Sequence, residues 1–172
     1  MKNALFTLFL GLIFQNSMFS QLEKGNFLIG GSASFSHIEF RGSDLNNTFI
    51  RVSPSTGFFI EDRFALGASL GLSMSINPNL TQTIFSVEPY ARYYFPQPFW
   101  LQLQFRYQYN DLGSDNMFIS PRVGYAFFLN ETVSIDPSIG ASFPLDGEEN
   151  FTGTQFLFFL GIQVYLSKKG KN

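Results

Sequence analysis

Residues 64–75 read Phe64-Ala65-Leu66-Gly67-Ala68-Ser69-Leu70-Gly71-Leu72-Ser73-Met74-Ser75. At a period of two, Phe64, Leu66, Ala68, Leu70, Leu72 and Met74 share one face, and Ala65, Gly67, Ser69, Gly71, Ser73 and Ser75 share the other. One face is apolar throughout; the other is small or hydroxylated and carries no charge. A soluble antiparallel sheet turns charged residues to water, whereas a membrane barrel turns its apolar face to lipid and its polar face to the lumen. The stretch therefore predicts a transmembrane strand.

The rest of the chain repeats the pattern. Alternating segments are expected over 26–38, 49–60, 64–75, 85–95, 101–109, 117–129, 133–143 and 155–165, joined in turn by longer polar loops and by tight turns such as Glu61-Asp62-Arg63, Pro96-Gln97-Pro98 and Asn130-Glu131-Thr132. Residues 101–109 show it most plainly, with Leu101, Leu103, Phe105, Tyr107 and Tyr109 set against Gln102, Gln104, Arg106 and Gln108. Eight such strands predict an all-β fold, an eight-stranded antiparallel up-and-down transmembrane β-barrel of the smallest membrane-spanning size. A faint repeat supports growth by hairpin duplication: Pro54 and Pro121 are followed three residues on by Gly57 and Gly124, then by Phe58 and Tyr125. Proline donates no ladder hydrogen bond, so Pro54, Pro89, Pro121 and Pro137, all inside these segments, are expected at β-bulges, the alternative being strands that begin later.

The composition agrees. The 172 residues include 23 Phe, 7 Tyr and 15 Gly but only 14% charged residues, too few for an ordinary soluble surface. Absence of Cys excludes disulfides and thiolate metal sites. A net charge of −2, a pI near 5.3 and no basic stripe argue against a nucleic-acid partner. At the N-terminus, Lys2 followed by the apolar run 4–14 resembles a secretory signal peptide, too short for the roughly 20 residues of a spanning helix. Residues 1–20 are thus expected to be removed after Ser20. Residues 21–172 then form the barrel, with Lys168, Lys169 and Lys171 as a short basic C-terminal tail.

Charge placement tests the barrel further, since a Lys or Arg facing mid-membrane lipid costs roughly 2 to 4 kcal/mol. Arg51, Glu88, Arg92, Arg106, Arg122 and Asp136 all fall on the polar face, predicting a lumen charge network of four cations and two anions. An eight-stranded lumen is just wide enough for side chains to fill, so a polar plug is expected; a narrow anion-preferring path is the alternative. The loops after strands one, three, five and seven hold Glu39, Arg41, Asp44, Asp111, Asp115, Asp146, Glu148 and Glu149, an acidic rim of net −6 without calcium-loop spacing. Aromatic girdles are expected at both ends, from Phe58, Phe64, Tyr93, Phe95, Phe99, Trp100, Tyr125 and Phe127 on the turn side, and Phe35, Tyr107, Tyr109, Phe118 and Phe143 on the loop side.

No catalytic set emerges. The single histidine, His37, stands beside Ser36 and near Glu39, but adjacent strand residues point to opposite faces, so no nucleophile and base are paired. Catalytic, cofactor-binding and metal-ligating residues are therefore expected to be none.

The residues Gly25-Asn26-Phe27-Leu28-Ile29-Gly30-Gly31, then Ser53-Pro54-Ser55-Thr56-Gly57-Phe58-Phe59-Ile60-Glu61-Asp62, Leu66-Gly67 and Ala91-Arg92-Tyr93-Tyr94-Phe95, resemble the outer-membrane β-barrel domain family common in Bacteroidota, similar in form to small OmpA/OmpX-type barrels. Ser20-Gln21 resembles the end of that group's export signals, and Gly161-Ile162-Gln163-Val164-Tyr165-Leu166 the last-strand signal read by the barrel assembly machinery, although Leu166 stands where an aromatic is usual. The resemblance implies a cell outer membrane location, contact with outer-membrane lipid and lipopolysaccharide, and insertion by that machinery; the chain is expected to be a monomer. Its motifs are architectural and imply no activity. The expected function is thus a non-enzymatic integral barrel with a structural or surface-interaction role. The alternatives are a lipid A-modifying outer-membrane enzyme, and a secreted lipocalin-like barrel binding an apolar ligand, which would require the faces to be reversed.

Overall fold

The computed structural model describes residues 19–39, 46–76, 81–110, 115–145 and 155–167. Its strands are β1 (Phe27–Glu39), β2 (Asn46–Glu61), β3 (Phe64–Ile76), β4 (Thr81–Tyr94), β5 (Phe99–Asn110), β6 (Asp115–Tyr125, continued past Ala126 by Phe127–Phe128), β7 (Val133–Pro144) and β8 (Gln155–Leu166). Each pairs antiparallel with the next, and β8 pairs with β1 to close an eight-stranded barrel without a free edge. At 11 residues or more, every strand reaches the length a tilted membrane crossing needs.

The alternation decides which face goes where. On β3, Leu70 is 62% exposed while its neighbour Ser69 is 7% exposed, and Leu66, Leu72 and Met74 share the outer face with Leu70. The same belt continues through Val52, Val87, Leu103, Val123, Ile139 and Leu160, all outward. The buried set is mostly polar. It includes all four arginines of the charge network, so the reversed, lipocalin-like arrangement is not the one formed.

The prolines do not sit at bulges. The β2–β3 ladder skips Ser53 and Pro54, the β4–β5 ladder skips Glu88 and Pro89, and the β6–β7 ladder skips Ser120 and Pro121, each resuming in the same register. Pro54, Pro89 and Pro121 remain paired on their other sides, opposite Gly31, Ala68 and Leu103. Pro137 faces Leu160 on β8 and lies one residue beyond the end of the β6–β7 ladder. An antiparallel residue directs its N–H and C=O to one neighbour only, so each proline opens one rung and leaves the opposite ladder whole. The register shift that does occur, between Phe59 and Glu61, belongs to the two-residue turn Asp62-Arg63, where Arg63 takes a left-handed φ of 66°.

The turn end is stopped from below. One turn of 3-10 helix, Phe19–Leu22, puts Gln21 and Leu22 against the barrel, and Gly25, at φ 92°, turns the chain into β1. Arg63 N donates to Leu22 O at 2.6 Å, Phe59 N to Asn26 O at 2.9 Å, and Asn26 Nδ2 to Gln21 O at 3.1 Å. Leu22, Leu28, Phe59, Ala65, Tyr94, Trp100, Ala126 and Tyr165 form the apolar cluster at this end. Residues 1–18 of the expected signal segment 1–20, the tail at 168–172 and most of the expected acidic rim lie outside the described residues.

Candidate functional site: the polar lumen

Inward positions of β2 to β8 build the lumen. Glu88 of β4 is fully buried; it pairs with Arg51 of β2 and accepts hydrogen bonds from Ser86 Oγ at 2.6 Å, Ser69 Oγ at 3.2 Å and Gln104 Nε2. Arg51 also donates to Ser53, Ser86 and Ser73 at 3.1, 3.0 and 3.3 Å. The hydroxyls of β3 thus serve as short spacers, and Gly71 leaves the room the pair occupies: a Cβ there would run into Ser86 Oγ, Arg51 and Glu88.

A second pair lies nearer the turns. Arg92 meets Asp136 at 3.3 Å, donates to Gln102 Oε1 at 2.7 Å and to Tyr94 OH at 3.0 Å, and stacks 4.1 Å from the Trp100 ring centroid. Gln102 Nε2 donates to Gln104 Oε1 at 2.9 Å, which joins the two clusters into one network. Asp136 accepts from Ser134 Oγ at 2.5 Å, and Tyr165 OH lies 3.3 Å from Ser134 and 3.2 Å from Tyr94 OH. Below these, Phe59, Tyr94, Tyr165 and Phe128 pack ring against ring with centroids 5.1 to 6.5 Å apart, Tyr165 stacked on Phe59 and Phe128 and edge-on to Tyr94.

Arg106 and Arg122 are buried as well, but neither meets a carboxylate among the described residues. Arg106 lies over Phe118 at 4.4 Å and Arg122 over Phe159 at 3.6 Å. All six residues of the predicted network therefore occupy the lumen, four of them in two ion pairs. The cavity beside them is about 20 Å³, lined in part by Arg92, Arg122, Asp136, Gln102, Ser138 and Gln163. That is room for about one water molecule.

Two girdle assignments are corrected. Trp100 and Phe118, each 1% exposed, stand inside the barrel beneath Arg92 and Arg106. The period of two already places them opposite Leu101 and Met117; aromatic type alone suggested the girdle. Phe159, the support of Arg122, was legible by the same parity from its exposed neighbours Phe158 and Leu160. The outer aromatics do form pairs near the turns, Phe27 with Phe58, Tyr93 with Phe95, and Phe99 with Tyr125.

For catalysis, β1 places Ser36 opposite Phe49 and His37 opposite Thr48. The side chains of residues 35–39 lie outside what is described. Among the described residues, no three His, Cys, Asp or Glu side chains converge as a metal cage, and no helix is long and apolar enough to cross a membrane.

No protein-family model matches the chain, and no curated protein matches it in sequence. Among solved structures, the chain is similar to the N-terminal β-barrel domain of Pseudomonas aeruginosa OprF, with TM-score 0.59 and 13% identity over 83% of this chain and 98% of that one. The outer membrane protein OprG of Pseudomonas aeruginosa gives 0.56 and 11%, over 85% and 98%. Neisserial surface protein A gives 0.53 and 18%, over 82% and 97%. At such identities the likeness is one of fold: a closed, all-antiparallel eight-stranded β-barrel.

Proposed function

We propose that the protein is an integral barrel of the cell outer membrane, with a structural or surface-interaction role and no catalysis. The observation that carries this reading is the inversion of its surfaces. A continuous apolar belt faces outward, while buried charges are met by one another, by serines, by glutamines and by aromatic faces. The solved barrels it resembles in fold include outer membrane proteins, and the resemblance of 25–31, 53–62 and 91–95 to the Bacteroidota barrel family supports the same location. Export would follow a cleaved signal over residues 1–20, insertion would use the barrel assembly machinery, and the monomer would sit among outer-membrane lipid and lipopolysaccharide. The aromatic stack below Arg92 and the Leu22 stopper make the lumen a plug.

Planar-bilayer recording of the refolded barrel tests the plug, and lipid A analysis of cells carrying His37→Ala tests the absence of catalysis. The expected results are no steady single-channel current and an unchanged lipid A pattern. Steady currents would overturn the plug, and an altered acylation pattern would favour the lipid A-modifying alternative.

A further inference from the structure

Among the described residues, the lumen's charges do not balance. Two carboxylates, Glu88 and Asp136, are each engaged by one arginine, Arg51 and Arg92. Arg106 and Arg122 are 6% and 8% exposed and find no carboxylate among the described residues. Each has its Nε buried without a hydrogen-bond acceptor. An ion removed from water needs both countercharge and hydrogen bonds, and aromatic faces supply neither to the guanidinium edge.

The supporting rings decide what remains available. Phe159 lies 3.6 Å from the Arg122 guanidinium carbon and covers the flat face of that group. Its Nε is left buried without an acceptor, and an N–H there can donate only to an anion or a lone pair. Arg122 also lines the small cavity, together with Gln102, Gln163 and Ser138, each able to offer an N–H or O–H. Gln163 has its Oε1 buried and unpartnered, and rotating that amide would present its NH2 instead. Asp136 lines the same cavity, but its charge is already met by Arg92. At about 20 Å³ the space is on the scale of one water molecule or one monatomic ion.

We propose that this cavity is a monatomic-anion site, in which one halide-sized ion lies against the Nε edge of Arg122 and offsets part of the lumen's surplus positive charge. The ion is structural. It enters as the barrel closes and stabilises the folded state over the unfolded one. The site is a property of the lumen and stands whatever role the barrel plays at the cell surface.

The test is urea unfolding of the full chain refolded in zwitterionic detergent micelles, followed by circular dichroism, in sodium chloride and in sodium gluconate of equal ionic strength. Gluconate is too large for the cavity. Binding to the folded state alone predicts a saturable chloride effect, the unfolding equilibrium constant being about 11-fold lower at chloride ten times its dissociation constant. Arg122→Gln is expected to abolish the chloride response, while Lys24→Gln, on the exposed turn, retains it. Should Arg122→Gln fail to fold, chloride NMR line width on the unaltered protein gives a second reading: excess broadening that bromide displaces. Equal unfolding in the two salts with no displaceable broadening overturns the proposal, as does a full chloride response in folded Arg122→Gln.

Discussion

Replacing Glu88 by glutamine removes one charge from the centre of the lumen and changes almost nothing in shape. Glu88 is fully buried and gathers Arg51, Ser69, Ser86 and Gln104 around one carboxylate. In Glu88→Gln the Arg51 guanidinium loses its only carboxylate partner among the described residues, and the surplus of buried cations grows from two to three. The new amide must also turn one end toward groups that donate, either Arg51 or the Gln104 amide. Breaking a buried pair by removing one partner costs about 3 to 5 kcal/mol. The three serine acceptors that remain to Arg51 place the expected loss at the lower end of that range. Urea unfolding in micelles measures it, with the fluorescence of Trp100, the single tryptophan and a lumen residue, as the reporter. The midpoint should fall with little change in slope. Adding Arg51→Gln should recover part of the loss, because the orphaned charge then disappears. A loss below about 1 kcal/mol for Glu88→Gln, or strict additivity in the double variant, would refute the view that this pair organises the lumen.

Gly124→Ala should cost about 1 to 3 kcal/mol in the same assay, since its methyl would run into the Trp100 ring, which is buried and cannot move aside; a neutral result would mean that ring is not held where it stands. At the turn end, Lys24 Nζ meets Glu61 at 2.7 Å, and this hydrogen bond first, then the charge of Glu61, raises the Lys24 pKa above its ordinary 10.5. A raised lysine value means the stabilisation is complete below pH 10.5 and is lost as pH climbs through the higher, folded-state value. The difference in unfolding midpoint between the protein and Lys24→Gln should therefore be constant at neutral pH and shrink only in the alkaline range; a difference independent of alkaline pH would contradict the assignment.

The barrel was legible because its strands obey two constraints at once. Residues such as Leu70 and Ser69 must part company at every step, and no charge can face the belt, so the alternation in β3 and β5 is strict enough to read without a structure. The same parity put Arg51, Glu88, Arg92, Arg106, Arg122 and Asp136 on one face. It could not say who pairs with whom, because partners such as Arg92 and Asp136 lie 44 positions apart and meet only through closure. Where residue type was weighed above parity the reading failed, as with Trp100 and Phe118. A polar lumen that packs cations on rings needs aromatics inside, a demand that composition does not reveal. The prolines misled for another reason. The missing donor of proline pointed to bulges, whereas an antiparallel strand accommodates it by opening one rung on one side. The Leu22 stopper gave no periodic signal, being a single short turn.

The Pro54/Gly57 and Pro121/Gly124 repeat acquires a physical sense. Each proline ring lies on the outer face three residues before a glycine on the inner one, and both glycines leave space for large lumen rings. A Cβ at Gly57 would meet Tyr90 OH at 2.7 Å, and one at Gly124 would enter Trp100. Gly67 of β3 faces Tyr90 in the same way, while Gly71, Ser69 and Ser73 of the same inner face border the Arg51–Glu88 pair.

The central claim is that β3 presents alternate residues to hydrocarbon and to a sealed polar lumen. The chain has no cysteine, so single cysteines at Ser69, Leu70, Leu72 and Ser73 can each carry a spin label in lipid bilayers. Oxygen concentrates in the hydrocarbon, and a polar nickel relaxation agent stays in water. The account predicts strong relaxation by oxygen at Leu70 and Leu72, and weak relaxation by both agents at Ser69 and Ser73. Relaxation by nickel at Leu70 and Leu72, or equal oxygen accessibility at all four positions, would contradict it.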